Sequence, residues 1–193
     1  MSKSSRSRGG DGFRKTTFTV RSFLPGVARF VRNLPALVRA RRADRVSDAF
    51  AEKIMLAVTA VNECQYCTRY HSDLALETGV DEGTVRQILE GDVGTAVDDD
   101  ELPALAFAQR YAEADESPGR EAVTDLRAAY GAETAADVQA FVRAIYFGNL
   151  LGNSYDAVRF VAARRVRRAR RCLEATRTGV ARAAERVRER CPI

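Results

Sequence analysis

No run of about eighteen apolar residues occurs in this 193-residue chain, which excludes a transmembrane helix. Strand-like alternation is missing as well. Short Val, Ile and Phe clusters come closest, whereas Ala and Arg recur at helical spacings, so the chain reads as all-α. Histidine is scarcer still: His71 is the only one, and any step that needs an imidazole near neutral pH falls to it. No second Cys/His pair stands by to close a structural zinc site. No secretory signal is recognisable at the N-terminus, so a cytoplasmic, reducing location is expected, and four cysteines do not read as a permanent disulfide framework.

With 46% hydrophobic residues the chain can bury one sizeable core. Its charge lies in three blocks. Residues 1–45 hold 12 Lys/Arg against 2 Asp/Glu, residues 46–156 hold 7 against 21, and residues 157–193 hold 12 against 3. Basic ends around an acidic middle could bind nucleic acid or an anionic membrane. The simpler account folds the arms onto acidic faces of their own or a neighbouring subunit.

Cys64, Cys67 and His71 stand in the run VNECQYCTRYH. Two thiols able to form one disulfide lie beside the one side chain suited to deprotonating them. Asp48 to Val61 is rich in Ala, Leu and Met, with Asp48 and Glu52 where an opening helical turn favours acids. Residues 68–78 run without Gly or Pro to a stop at Gly79. The motif therefore sits on a helical hairpin, not after the strand of a thioredoxin-like unit. A second helix starting near Cys64 places Cys64, Cys67 and His71 on one face at i, i+3 and i+7, with Cys64 at the N-terminus, where free amides favour a thiolate.

Glu52, Cys64, Cys67 and His71 together resemble the Glu-x(11)-Cys-x-x-Cys-x-x-x-His pattern of the carboxymuconolactone decarboxylase superfamily, in its alkyl hydroperoxidase D-like branch. The likeness continues through LALETGVDEGTVRQILEGD and LPALAFAQRYAEA and covers roughly residues 34–160. It implies an all-α fold of that type and a homo-oligomer. It also implies roles: Cys67 as the thiolate that attacks a peroxide, Cys64 as the thiol that resolves the sulfenic acid into a disulfide, and His71 as a proton relay assisted by Glu52. No bound cofactor is implied. An external dithiol donor, a lipoylated or thioredoxin-like protein, would recycle the disulfide, with a peroxiredoxin as a further partner. Some members carry a second histidine between the cysteines; here Tyr66 takes that place and cannot act as a base at neutral pH. Lactone decarboxylation is a competing activity, although the decarboxylases do not depend on two thiols. A four-ligand zinc site and a noncatalytic interaction protein are the other readings, and any one of the cysteines can be inert core.

Three further expectations concern the ends. Residues 1–17 read as a disordered basic tail, and 18–160 as the helical domain. Within that domain Phe23, Val27, Phe30, Val31, Leu34, Leu37 and Val38 form an amphipathic pattern interrupted by Pro25 and Pro35. A transit peptide shares that composition, but docking on the core is favoured. A long helix is expected from near Asp137. On it Gly148 and Gly152 permit close approach of another backbone, and Asn149, Asn153 and Asp156 form a polar row, read as buried interhelical hydrogen bonds ahead of a pocket shared with Tyr66. Residues 161–193 read as an arginine-rich amphipathic extension with a stripe through Ala162, Val166, Ala169, Leu173, Val180, Ala184 and Val187. No aromatic is interleaved there, so an interface is favoured over nucleic-acid or membrane binding. Cys172 and Cys191 read as bystanders.

Overall fold

The structure, a computed structural model, describes residues 15–190, with the side chains of Cys172, Ala175 and 177–190 left undescribed. Seven helices and no strand occur among the described residues: α1 Val20–Ala43, α2 Asp48–Asn62, α3 Gln65–Glu77, α4 Glu82–Glu90, α5 Val93–Ala96, α6 Leu102–Glu113 and α7 Arg120–Arg190. The all-α reading holds. No described helix is long and apolar enough to cross a membrane.

Side-chain caps start α2, which carries Glu52, and α4, which packs on it. Ser47 Oγ accepts from the Phe50 amide at 3.2 Å to open α2, and Asp81 accepts from the Thr84 amide at 2.9 Å to open α4; each satisfies a donor that the first turn leaves without a partner. α2 is the central element. Ile54, Leu56 and Val58 are fully buried, and the helix packs on α3, α4 and α6. Leu105 of α6 and Val138, Phe141 and Val142 of α7 join them in one core cluster. Each such side chain contributes about 1.5–3 kcal/mol on burial, which holds α2 rigidly under the thiol motif.

The structure corrects one helix boundary. α1 is not interrupted by its prolines: both Pro25 and Pro35 lie inside it. Each ring removes one backbone hydrogen bond, a cost of about 3 kcal/mol in an isolated helix. Docking offsets it, because Asn33 Nδ2 donates to the Ala140 carbonyl at 2.9 Å and Phe30 stacks on Phe147 at 4.5 Å. The docked face is only partly the expected apolar one: Val27, Phe30 and Leu37 of that pattern are half-buried, whereas Phe23, Val31, Leu34 and Val38 are exposed. Ser22, Gly26, Asn33 and Ala40 are buried, whereas Val20, Leu24, Val31, Leu34 and Val38 are exposed.

The long helix starts a few residues ahead of Asp137, after a break. α7 starts at Arg120 and is broken only at Gly131 (φ 77, ψ 172), a left-handed backbone that glycine adopts without steric cost. Asp137 is buried in the second stretch and takes a 2.7 Å hydrogen bond from Arg45 Nε. It is a paired interior acid.

The chain forms two compact units, one ending at Ser154 and one beginning at Tyr155. The first contains the core and the thiol motif. In the second, Arg159 lies over the Tyr155 ring and Arg164 over the Phe160 ring, each at 5.7 Å; Val166 and Leu173 of the expected stripe are exposed. Val180, Ala184 and Val187 belong to the undescribed side chains, as does Cys172, and Cys191 and most of the expected basic tail lie outside the described residues. Thr16, assigned to that tail, is buried.

Candidate functional site

α2 ends at Asn62. Glu63, in the left-handed conformation (φ 54), turns the chain into Cys64, which is the N-cap of α3. A non-glycine residue there carries about 1–2 kcal/mol of strain, and it lies directly beside the cysteines. Cys64 is fully buried and Cys67 is partly exposed. Both are free thiols, with their sulfurs 2.6 Å apart. A disulfide needs about 2.05 Å, so the pair can close with a small movement.

Hydrogen bonding from the Cys67 thiol is the largest cause that brings the Cys64 thiol down to about 7; the Cys67 and Tyr66 amides add to it and burial opposes it. Cys67 is pushed up by the same contact, then by burial and by the Cys64 charge. Two sulfurs sharing one proton give a first ionisation that comes easily and a second that is strongly opposed.

Glu52 is buried on α2, and its Oε2 stands 2.7 Å from His71 Nδ1. Its other oxygen lies 3.8 Å from Arg41 of α1. His71 follows Cys67 by four residues on α3, one turn along the same face. Its hydrogen bond goes to Glu52, and among the described residues it makes none to either sulfur. The ordering of Nδ1 by a carboxylate leaves Nε2 as the nitrogen available for proton transfer.

The second stretch of α7 closes the back of the site. A Cβ built on Gly152 would stand 2.8 Å from Cys64 Sγ and 3.9 Å from Cys67 Sγ. The close approach expected at this glycine is thus made by the thiols, and Gly148 has nothing within 4 Å of a built Cβ. Asn153 Nδ2 donates to the carbonyls of Asn62 at 2.7 Å and Thr16 at 3.1 Å. The amide of Asn149 lies 3.2 Å from Thr59 Oγ1. That hydroxyl has one proton, and the Met55 carbonyl at 2.8 Å takes it. Asn149 Oδ1 is the second acceptor facing the Thr59 hydroxyl. Among the described residues Asn62 Nδ2, Asn149 Nδ2 and Asn153 Oδ1 are buried without a partner. Tyr66 is exposed, with its ring edge 3.7 Å from the position of a Gly152 Cβ. Asp156 belongs to the second unit.

Sequence reasoning missed Arg41, Thr59 and Asn62. The last two had a signal: with Glu52 they are polar residues at i, i+7 and i+10 on a helix that is apolar from Ile54 to Val58. Arg41 had none, since it reaches Glu52 from another helix. Among the described residues no group of three or more His, Cys, Asp or Glu is arranged to hold a metal ion.

No curated protein and no solved structure matches the chain. The family model of the carboxymuconolactone decarboxylase family matches residues 25–110, from Pro25 in α1 to Arg110 in α6. Asn149, Gly152 and Asn153 lie beyond that span, whereas Glu52, Cys64, Cys67 and His71 all lie within it: the segment that carries the thiol motif is similar to the carboxymuconolactone decarboxylase family.

Proposed function

We propose that the protein is a thiol oxidoreductase of the alkyl hydroperoxidase D-like kind, reducing peroxides through a Cys64–Cys67 disulfide. The observation that carries this reading is the pair of free sulfurs 2.6 Å apart, one buried and acidic, one reachable from solvent. Cys67 is the attacking sulfur because a peroxide can reach it. As it attacks, its proton passes to the adjacent Cys64 thiolate. A bond forms between Cys67 Sγ and the terminal peroxide oxygen, the O–O bond breaks, and the alkoxide leaves as an alcohol with a proton from His71, whose protonated form Glu52 stabilises. Cys64 then attacks Cys67 Sγ, forming the S–S bond and releasing hydroxide, which leaves as water. Two thiols and one peroxide thus give a disulfide, an alcohol and water. A dithiol protein, lipoylated or thioredoxin-like, returns the two electrons; a peroxiredoxin disulfide can take the peroxide's place as acceptor.

Gly152 leaves the space in which the sulfurs meet, and Asn149 and Asn153 hold α7 to α2 so that this space is kept. Tyr66, exposed at the rim, is a surface for substrate or donor. We extend the proposal to a homo-oligomer. The exposed α1 residues Val20, Leu24, Val31, Leu34 and Val38 follow coiled-coil spacing with Arg21, Arg32, Arg39 and Arg42 beside them. A second copy offers the acidic surface of residues 46–156 to cover them.

The test is a stoichiometric peroxide pulse on reduced protein followed by mass spectrometry. The expected product is a Cys64–Cys67 disulfide with Cys172 and Cys191 still free. Recovery of both Cys64 and Cys67 as thiols would sink the reading.

A further inference from the structure

A cavity of about 900 Å³ lies in the first unit, away from the thiols. α1, the end of α6, the loop after it and α7 line it, and none of Glu52, Cys64, Cys67 or His71 does. Its walls are of two kinds. Phe18, Phe30, Phe107, Val123 and Phe147 form an apolar body, in which Phe147 is stacked on Phe30 at 4.5 Å and tilted against Phe18 at 5.4 Å. Five arginines accompany them, namely Arg29, Arg32, Arg120, Arg127 and Arg143, with Glu116 as the one carboxylate.

That carboxylate is already taken, since Arg29 Nε donates to Glu116 Oε1 at 3.2 Å and Nη2 donates to Oε2. Arg32, Arg120, Arg127 and Arg143 form no ion pair among the described residues. Arg143 has a neutral partner instead: it donates to Gln139 Oε1 at 3.0 Å, and it lies beside the Tyr111 phenol. Unmatched cations are unexpected at Arg120, Arg127 and Arg143, because residues 46–156 hold three times as many acids as bases. The loop at the mouth is held in costly geometry, with Asp115 at φ 47 and Glu116 at φ 69. The Arg29 clamp on Glu116 and the hydrogen bond from Tyr146 to Asp115 at 3.3 Å keep it there, and strain of this kind collects at ligand clamps.

We propose that this cavity binds an apolar carboxylate, its hydrocarbon body among the phenylalanines and its acid group on Arg143 with Arg127 or Arg32. The volume falls in the range of small-molecule sites, about 300–1,000 Å³, and the lining has their character of apolar walls with a few placed polar groups. A planar guanidinium without a carboxylate partner offers the paired N–H donors that a carboxylate accepts. Tyr111 is buried and raised to about 12, so its phenol keeps its proton at neutral pH and can donate to the same acid group.

The experiment is calorimetric titration of decanoate into the reduced full-length protein, with decanol as the uncharged comparison. One decanoate per chain is expected, with decanol at least tenfold weaker. Arg143→Gln combined with Arg127→Gln should weaken decanoate tenfold or more and leave decanol unchanged, and Val123→Trp should abolish binding of both. Cys67→Ser should change nothing, which separates this site from the thiols. Failure of decanoate to bind, equal affinity for decanol, or indifference to the arginine pair overturns the proposal. Loss of binding in Cys67→Ser overturns it in favour of the thiol site. A wild-type assembly that ignores decanoate but falls in mass with Val123→Trp overturns it in favour of a contact with a second copy. Should Val123→Trp not fold, the surface arginine pair decides alone.

Discussion

Gly152 faces the Cys64 sulfur with no side chain between them: a Cβ there would stand 2.8 Å from Sγ. Cys64 is fully buried and cannot retreat without displacing its neighbours. Gly152→Ala should therefore cost about 1–3 kcal/mol and slow closure of the Cys64–Cys67 disulfide. Gly148→Ala is the control one turn away. With nothing within 4 Å it should gain about 0.5–1 kcal/mol from helix propensity alone. Chemical denaturation and the rate of thiol loss after peroxide measure both; equal effects from the two substitutions would show that the contact is not tight.

The thiol pair makes stability depend on pH with a definite sign. Cys64 is lowered to about 7, against an unfolded thiol near 8.5. Between these values the unfolded chain holds the extra proton, so stability rises with pH, and this contribution is lost as pH falls through 7. Cys67 is raised. Above about 8.5 the unfolded chain releases that proton while the folded one keeps it, and stability falls again. Reduced protein should show a stability maximum near pH 8.5, with slopes up to about 1.4 kcal/mol per pH unit on either side. The difference between wild type and Cys64→Ser/Cys67→Ser, followed by denaturant titration from pH 6 to 10, isolates it. A difference that stays flat with pH would refute the shared-proton arrangement.

His71 and thiol acidity should separate. The acidity of Cys64 comes first from Cys67, and His71 spends its hydrogen bond on Glu52. His71→Ala should leave the thiol ionisation near 7 in place and reduce peroxide turnover about 100-fold or more by removing the proton donor. It should also cost about 3 kcal/mol, because Glu52 is left buried with only Arg41 at 3.8 Å. Glu52→Gln should have a smaller effect on both. Alkylation rate against pH reads the ionisation; a midpoint moved to 8.5 in His71→Ala would return the acidity to the imidazole.

The assignment of sulfurs has its own test. Cys64→Ser should retain one peroxide turnover that stops at a Cys67 sulfenic acid, and Cys67→Ser should consume none. A sulfenic acid trapped on Cys64 would reverse the roles despite its burial.

Assembly through α1 predicts a change of mass without a change of fold. Leu24 and Val31 are exposed in the single chain, so Leu24→Glu with Val31→Glu should alter the stability of the isolated chain by about 0.5 kcal/mol or less while reducing the assembly seen by light scattering. An unchanged mass excludes this face.

By itself the sequence determined what local rules control. The all-α class follows from periodicity, and the Glu, Cys, Cys and His spacing was legible because a helix converts spacing into a shared face. The capped start of α3 at Cys64 followed from the same logic. Tertiary structure decided the rest through contacts between residues far apart in the chain. Pro25 and Pro35 stay inside α1 because Asn33 and Phe30 anchor that helix to α7, an energy no helix propensity contains. Asp137 lies near the start of the second stretch of α7, as its position suggested, but its partner, Arg45, is visible only in the folded chain. Arg41 behind Glu52, Gly152 behind the sulfurs and the arginine-lined cavity belong to the same class. Each depends on which helix faces which, and that is set by burial of the whole core around α2, not by any one segment.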